Sequence, residues 1–221
     1  MNIYKNIHVL NGLLRKYSGL VKKRLSPQSF TRPTFDSPRL RSFFDSLQIE
    51  LLDVGARGGP LPPLRMLAPY AHLILCEADV KEAKFVAEEL RIQGQWKKLT
   101  VMPETLGSGA AGSTLHATRR PGLSSLYAPD RAVVERFYAS QLGPKVFRRN
   151  WEVVDHIPVS PITLNTVAVK YNLHDISFIK LDTQGTELDI LRSGERVVLP
   201  SLVAIYLEME FLPFYTDQRR C

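Results

Sequence analysis

Three short segments combine acids and glycines at spacings that suit a cofactor crevice. The first is Asp53-Val54-Gly55-Ala56-Arg57-Gly58-Gly59, where the buried-strand run Ile49 to Val54 ends in a glycine turn. Glycines there let the backbone approach a ligand at the carboxyl end of a strand. The second is Cys76-Glu77-Ala78-Asp79, after the apolar run His72 to Cys76. Glu77 follows Asp53 by 24 residues, near the spacing at which an acid meets a ribose. A carboxylate can accept hydrogen bonds from both ribose hydroxyls. Asp79 reads instead as the acid that opens the following helix. The third is Lys180-Leu181-Asp182-Thr183-Gln184-Gly185-Thr186-Glu187, closing the run Ile176 to Leu181. An acid ending a buried strand needs a partner or a ligand, so Asp182 is the first candidate for a group near the reacting atoms. Glu187 reads equally as helix-start electrostatics, with Thr186 as a cap.

The elements that must position these residues alternate between strand-like and helical patterns. Strands are expected at Ile49–Val54, His72–Cys76, Leu99–Met102, Ser113–Thr118, Glu152–Val159, Ile176–Leu181 and Leu202–Leu207. Helices are expected at Lys81–Arg91, with Phe85, Val86 and Leu90 on one face, and at Ala132–Leu142 and Glu187–Val198. Buried strands separated by helices predict an α/β fold, a mainly parallel doubly wound sheet. The first βα turn of such a sheet is where nucleotide-like cofactors bind. The dinucleotide pattern GxGxxG is broken by Arg57 and Pro60, and no Walker lysine follows.

The ordered set DVGARGG, CEAD, PGLSSL, KLDTQGTE with LRSGE, and AIYLEME, spanning Ile49 to Phe211, resembles the FkbM-type S-adenosylmethionine-dependent methyltransferases. The resemblance implies a Rossmann-like class I methyltransferase fold. It also implies O-methylation of a hydroxyl on a sugar, glycolipid or related metabolite, with S-adenosylmethionine as cofactor. On this resemblance Asp53, Gly55 and Gly59 hold the methionine end and Glu77 the ribose, while Glu104-Thr105-Leu106 lies near the adenine. Arg57 stands at the methionine end where the family often carries Asn, and Asn165 replaces an acid in Thr163-Leu164-Asn165. Asp182 is the expected catalytic residue, with His156 and His174 behind it. The family fold continues with two more strands after AIYLEME, and the ten residues after Phe211 are expected to supply neither, leaving the fifth strand as an edge. Two other readings stay open: a non-catalytic methyltransferase remnant and a nicotinamide-dependent oxidoreductase.

The chain has 221 residues and a formal charge of +7. Residues 1–45 hold nine basic side chains against Asp36 and Asp45, so this arm carries the whole excess. A neutral body, residues 46–221, with a basic arm argues against a nucleic-acid-binding domain. Ile3, Ile7, Leu10, Leu14, Tyr17 and Val21 form one apolar stripe of a helix, and Ser26 to Pro38 reads as a linker. Docking on the body or on a partner subunit, as in a homo-oligomer, is the preferred reading of the arm. Peripheral contact with an anionic membrane through residues 1–25 comes second, and a cleaved targeting peptide third. Cys76 and Cys221 make no disulfide framework, which points to a reducing, cytoplasmic compartment, and no metal-ligand spacing is visible. Arg119 to Arg149 is strongly basic and suggests an anionic small-molecule or glycan acceptor, beside a mobile Pro121–Ser125 loop.

Overall fold

The computed structural model describes residues 37–141, 148–173 and 175–219. The expected arm helix, residues 26–36 of its linker, His174, Lys145 and Cys221 lie outside them, and Pro38, expected in the linker, opens a helix instead. The described chain divides into two units. One holds helix α1 (Pro38–Ser46) and the turn Leu61–Leu67. In α1, Phe43 and Phe44 meet edge to face, and Ser46 Oγ donates to the Phe43 carbonyl.

The second unit, Leu47–Pro60 and the chain from Ala68, is built on a five-stranded sheet. Its strands are β1 (Ile49–Val54), β2 (Ala71–Cys76), β3 (Lys98–Met102), β6 (Ile176–Leu181) and β7 (Ala204–Leu207), ordered β3-β2-β1-β6-β7. Every neighbouring pair is parallel. The chain runs outward from β1 through β2 to β3, then returns to the other side of β1 as β6. The order therefore reverses between β1 and β6, which opens a crevice above their carboxyl ends. Strands β4 (Ser113–Thr118) and β5 (Val153–Val159) form a separate antiparallel pair.

Both faces of the central strands are buried. Leu52, Val54, Ile74, Cys76, Ile179 and Leu181 join one core with Leu164 and Val167 of α4 (Leu164–Lys170) and Ile190 of α5 (Glu187–Ser193). Leu51, Leu73 and Leu75, which alternate with that set along the strands, are also fully buried. Each such side chain contributes about 1.5–3 kcal/mol relative to exposure. Helix α2 (Val80–Gln93) buries Ala83, Val86, Ala87 and Leu90, whereas Phe85 is 58% exposed and not on the packed face. Asp79 caps α2 by accepting the Lys81 and Glu82 amides, as expected of it. Helix α3 covers Arg131–Gln141.

Two expected elements differ. The Glu187 helix stops at Ser193, because Gly194 follows and the chain turns into irregular structure there. The Leu202–Leu207 run forms a four-residue strand that is not buried, since among the described residues β7 pairs only with β6 and leaves Ala204, Ile205 and Tyr206 exposed.

Candidate functional site

A cavity of about 1130 Å³ opens at the carboxyl ends of the strands. Gly55, Arg57, Glu77, Glu104 and Asp182 all line it. Asp53 and Gly59 do not. Gly59 instead faces α2, with Val86 the nearest neighbour of an added Cβ. Asp53 is 1% exposed and turned into the sheet, where Lys180 Nζ lies 3.0 Å from its Oδ1. The lysine's hydrogen bond is directed at the Gly55 carbonyl (2.7 Å), so the two charges touch while neither Asp53 oxygen receives an aligned hydrogen bond. Burial pushes the Asp53 carboxyl up to about 6 despite the ammonium beside it. Lys180 thus fixes the glycine turn from below. Sequence reasoning assigned it no role, although a lysine in the run Phe178-Ile179-Lys180-Leu181 was the available signal.

Gly55 has φ +71°, and its amide donates to the Cys76 carbonyl. A Cβ here would lie 2.0 Å from the Asp182 carbonyl oxygen. The turn after β1 and the turn after β6 therefore touch through backbone alone, and only glycine allows it. Glu77 stands at the end of β2, mostly buried, with Oε1 accepting the Asp79 amide at 2.9 Å. Its second oxygen has no partner among the described residues, and burial raises its pKa. Arg57, at the cavity wall, pairs with Asp79 (3.0 Å) and Glu82 (3.2 Å), tying the glycine turn to the start of α2. Glu104 is held by Lys170 and by the Tyr171 hydroxyl (2.8 Å), and the Lys170 contact keeps its carboxyl below the usual range.

The far side of the cavity contains groups that the sequence reading did not single out. Phe137, Tyr138, Trp151 and Phe214 contribute an aromatic wall, with Trp151 and Phe214 stacked at 5.3 Å between centroids. Gln184, Glu208 and Glu210 line the cavity beside Asp182. Gln184 Nε2 donates to Asp182 Oδ1 and to Glu208 Oε2, each at 2.9 Å. The Tyr215 hydroxyl lies 2.9 Å from Gln184 Oε1 and 3.0 Å from the Leu123 carbonyl. Asp182 and burial drive Glu208 up to about 7, and burial drives Glu210 up to about 6. Glu187 does not face a ligand; it closes the turn before α5 by accepting the Thr183 and Gly185 amides. Thr186 makes no side-chain cap.

The Pro121–Ser125 loop also lines the cavity. It is tied down: Ser124 Oγ accepts the Thr118 amide and Ser125 Oγ donates to the Gln184 carbonyl. His156 sits against His116 on the β4–β5 pair rather than beside Asp182. Of the basic segment, Arg120 lines the cavity, whereas Arg119 is paired with Glu152 and Arg148 with Glu135. Among the described residues no cluster suited to a metal ion is present, and no helix is long and apolar enough to cross a membrane.

The methyltransferase FkbM domain family matches residues 67–220, a range that includes Glu77, Glu104, Asp182 and Glu208 and begins after the Gly55 turn. No curated protein and no solved structure matches the chain.

Proposed function

The chain belongs to the FkbM methyltransferase family, and from that premise we propose that it is an S-adenosylmethionine-dependent O-methyltransferase acting on a hydroxyl of a sugar, glycolipid or related small metabolite. The observation that carries this reading is the meeting of the Gly55 turn, the Glu77 carboxylate and Asp182 around one crevice at the β1–β6 switch point. The residues suit the cofactor. Glu77 offers one carboxylate oxygen with no partner among the described residues, which is what a ribose hydroxyl needs. The close backbone at Gly55 leaves no side chain between the strand ends and a ligand. The volume exceeds the upper end of ordinary ligand pockets, about 1,000 Å³, so a cofactor and an acceptor fit together.

In this reading Glu77 holds the ribose, the Gly55 turn the methionine end, and Thr105 and Leu106 the adenine. Arg57 acts indirectly by holding the turn against α2, and Glu104 by fixing the β3 end through Lys170 and Tyr171. Asp53 supports the turn through Lys180. When bound, S-adenosylmethionine supplies a methyl group on a positively charged sulfur, open to in-line attack by an oxygen lone pair. Asp182 lies where it can orient the acceptor hydroxyl, and alignment of this kind can supply several kcal/mol of the barrier, about 7–11 in favourable cases. The aromatic wall excludes water and offers flat faces to an acceptor ring. A reducing cytoplasmic setting accords with the buried free thiol of Cys76.

The test is thermal stability with S-adenosylhomocysteine as probe, since a ligand bound only by the folded state raises the midpoint. Saturating probe should raise it, and Glu77→Ala should remove the rise. Stabilisation by NAD alone would refute the reading.

A further inference from the structure

The carboxylate best placed to take a proton is not the one that the sequence singles out. We infer that Glu208, held beside Asp182 by the two amide hydrogens of Gln184, is the group that accepts the proton of the acceptor hydroxyl. The inference rests on the methyltransferase reading of the same cavity.

Gln184 is the organising residue. Its backbone has φ +59°, a left-handed conformation unusual for a side chain of its size. That conformation is fixed by Ser125 Oγ donating to its carbonyl at 2.7 Å. Its amide nitrogen has two hydrogens, and one goes to each carboxylate. Its amide oxygen faces the Tyr215 hydroxyl, which sets which end of the amide points at the acids. Asp182 and Glu208 come from the ends of adjacent strands, β6 and β7, and both line the cavity. Both amide hydrogens are therefore committed, and two carboxyl groups face one cavity on a fixed mount.

Two neighbouring carboxylates resist carrying two negative charges, so one of them retains a proton more readily. Asp182 and burial put that burden on Glu208, whose carboxyl is pushed up to about 7. A base that changes state near neutrality is well matched to proton transfer. The ionisable groups around it are Asp182 and Glu210, then Glu187 and the Tyr215 phenol, and Lys180 lies 3.7 Å from Asp182. The step balances. The hydroxyl proton passes to a Glu208 oxygen, and the hydroxyl's electron pair forms the new bond from oxygen to the methyl carbon. The carbon–sulfur pair stays on sulfur, and Glu208 then releases its proton to water.

The test is a pH titration of the intact protein labelled with carboxyl ¹³C-glutamate, followed by NMR. One glutamate resonance should have a midpoint of about 7, vanish in Glu208→Gln, and move down in Asp182→Asn. The titration is repeated with S-adenosylhomocysteine and with S-adenosylmethionine, which differ by one methyl and one positive charge. The added positive charge in the same cavity should lower the Glu208 midpoint relative to the neutral ligand. A midpoint in the ordinary range near 4–5, or identical midpoints with the two ligands, overturns the inference. Glu208→Gln should keep the thermal response to S-adenosylhomocysteine, and losing it would move Glu208 to cofactor binding and overturn the inference. If the wild-type protein shows no such response, the methyltransferase reading itself fails.

Discussion

Replacing Gly55 with alanine tests whether the two turns of the crevice truly meet through backbone. The added Cβ would lie 2.0 Å from the Asp182 carbonyl oxygen and 3.0 Å from its carbon. Neither atom belongs to a side chain that can swing away, so the chain itself must shift. The φ of +71° adds a conformational penalty of about 1–2 kcal/mol for any residue with a Cβ. Overpacking a tight contact adds about 1–3 kcal/mol. Together these give roughly 2–5 kcal/mol. At ~2–4 °C per kcal/mol for a unit of this size, the melting midpoint should fall by roughly 4–20 °C. Gly58 is the internal control, with φ +77° and nothing within 4 Å of an added Cβ, so Gly58→Ala should show only the conformational part. Both variants are compared by calorimetry and by their response to S-adenosylhomocysteine. Gly55→Ala should also lose the ligand response below its melting midpoint, because the Asp182 turn moves. If the two variants melt within ~2 °C of each other, the backbone contact is not what requires glycine at position 55.

Further outcomes follow from the buried charges. Lys180→Met leaves Asp53 buried without its cation and frees the Gly55 carbonyl, so it should destabilise by about 3–5 kcal/mol in urea titrations, with Asp53→Asn in the same chain restoring part of the loss. Asp53 and Glu208 bind protons more tightly folded, at about 6 and about 7, than at their ordinary values of 3.8 and 4.5. Between those limits the folded state holds more protons, so their contribution to stability falls as pH rises from about 4 to about 7 and is level above. Glu208→Gln should flatten the upper part of that slope in melting curves, and an unchanged slope would contradict the assignment. Asp79→Ala removes the cap of α2 and one partner of Arg57, and should cost about 1 kcal/mol by calorimetry while leaving the ligand response in place.

The sheet is readable because each central strand is a mainly apolar run closed by a turn, interrupted by Glu50 and Asp53 in β1, His72 in β2, and Ser177 and Lys180 in β6. Ile49–Val54 and Ile176–Leu181 carry in their own composition the fact that both faces are covered. An apolar run does not say whether a neighbour stands on each side, and Leu202–Leu207 therefore read as buried although β7 is exposed. Glu77 and Asp182 were legible because an acid just past a buried strand is locally anomalous. Lys180 gained its meaning only from pairing, since β1–β6 register sets it beside Asp53. Glu208, Gln184 and Tyr215 were invisible as a group for the same reason. Gln184 meets Glu208 across 24 residues and Tyr215 across 31, through a strand neighbour and a returning loop that no local pattern encodes.

The aromatic wall has an optical consequence. The chain has two tryptophans, Trp96 and Trp151, and only Trp151 lines the cavity. Its indole, stacked on Phe214, emits at a wavelength and intensity set by the polarity of what lies against it. With Trp96 replaced by phenylalanine, the remaining emission becomes a signal from the cavity wall. Occupancy of the cavity could then be read directly, compound by compound.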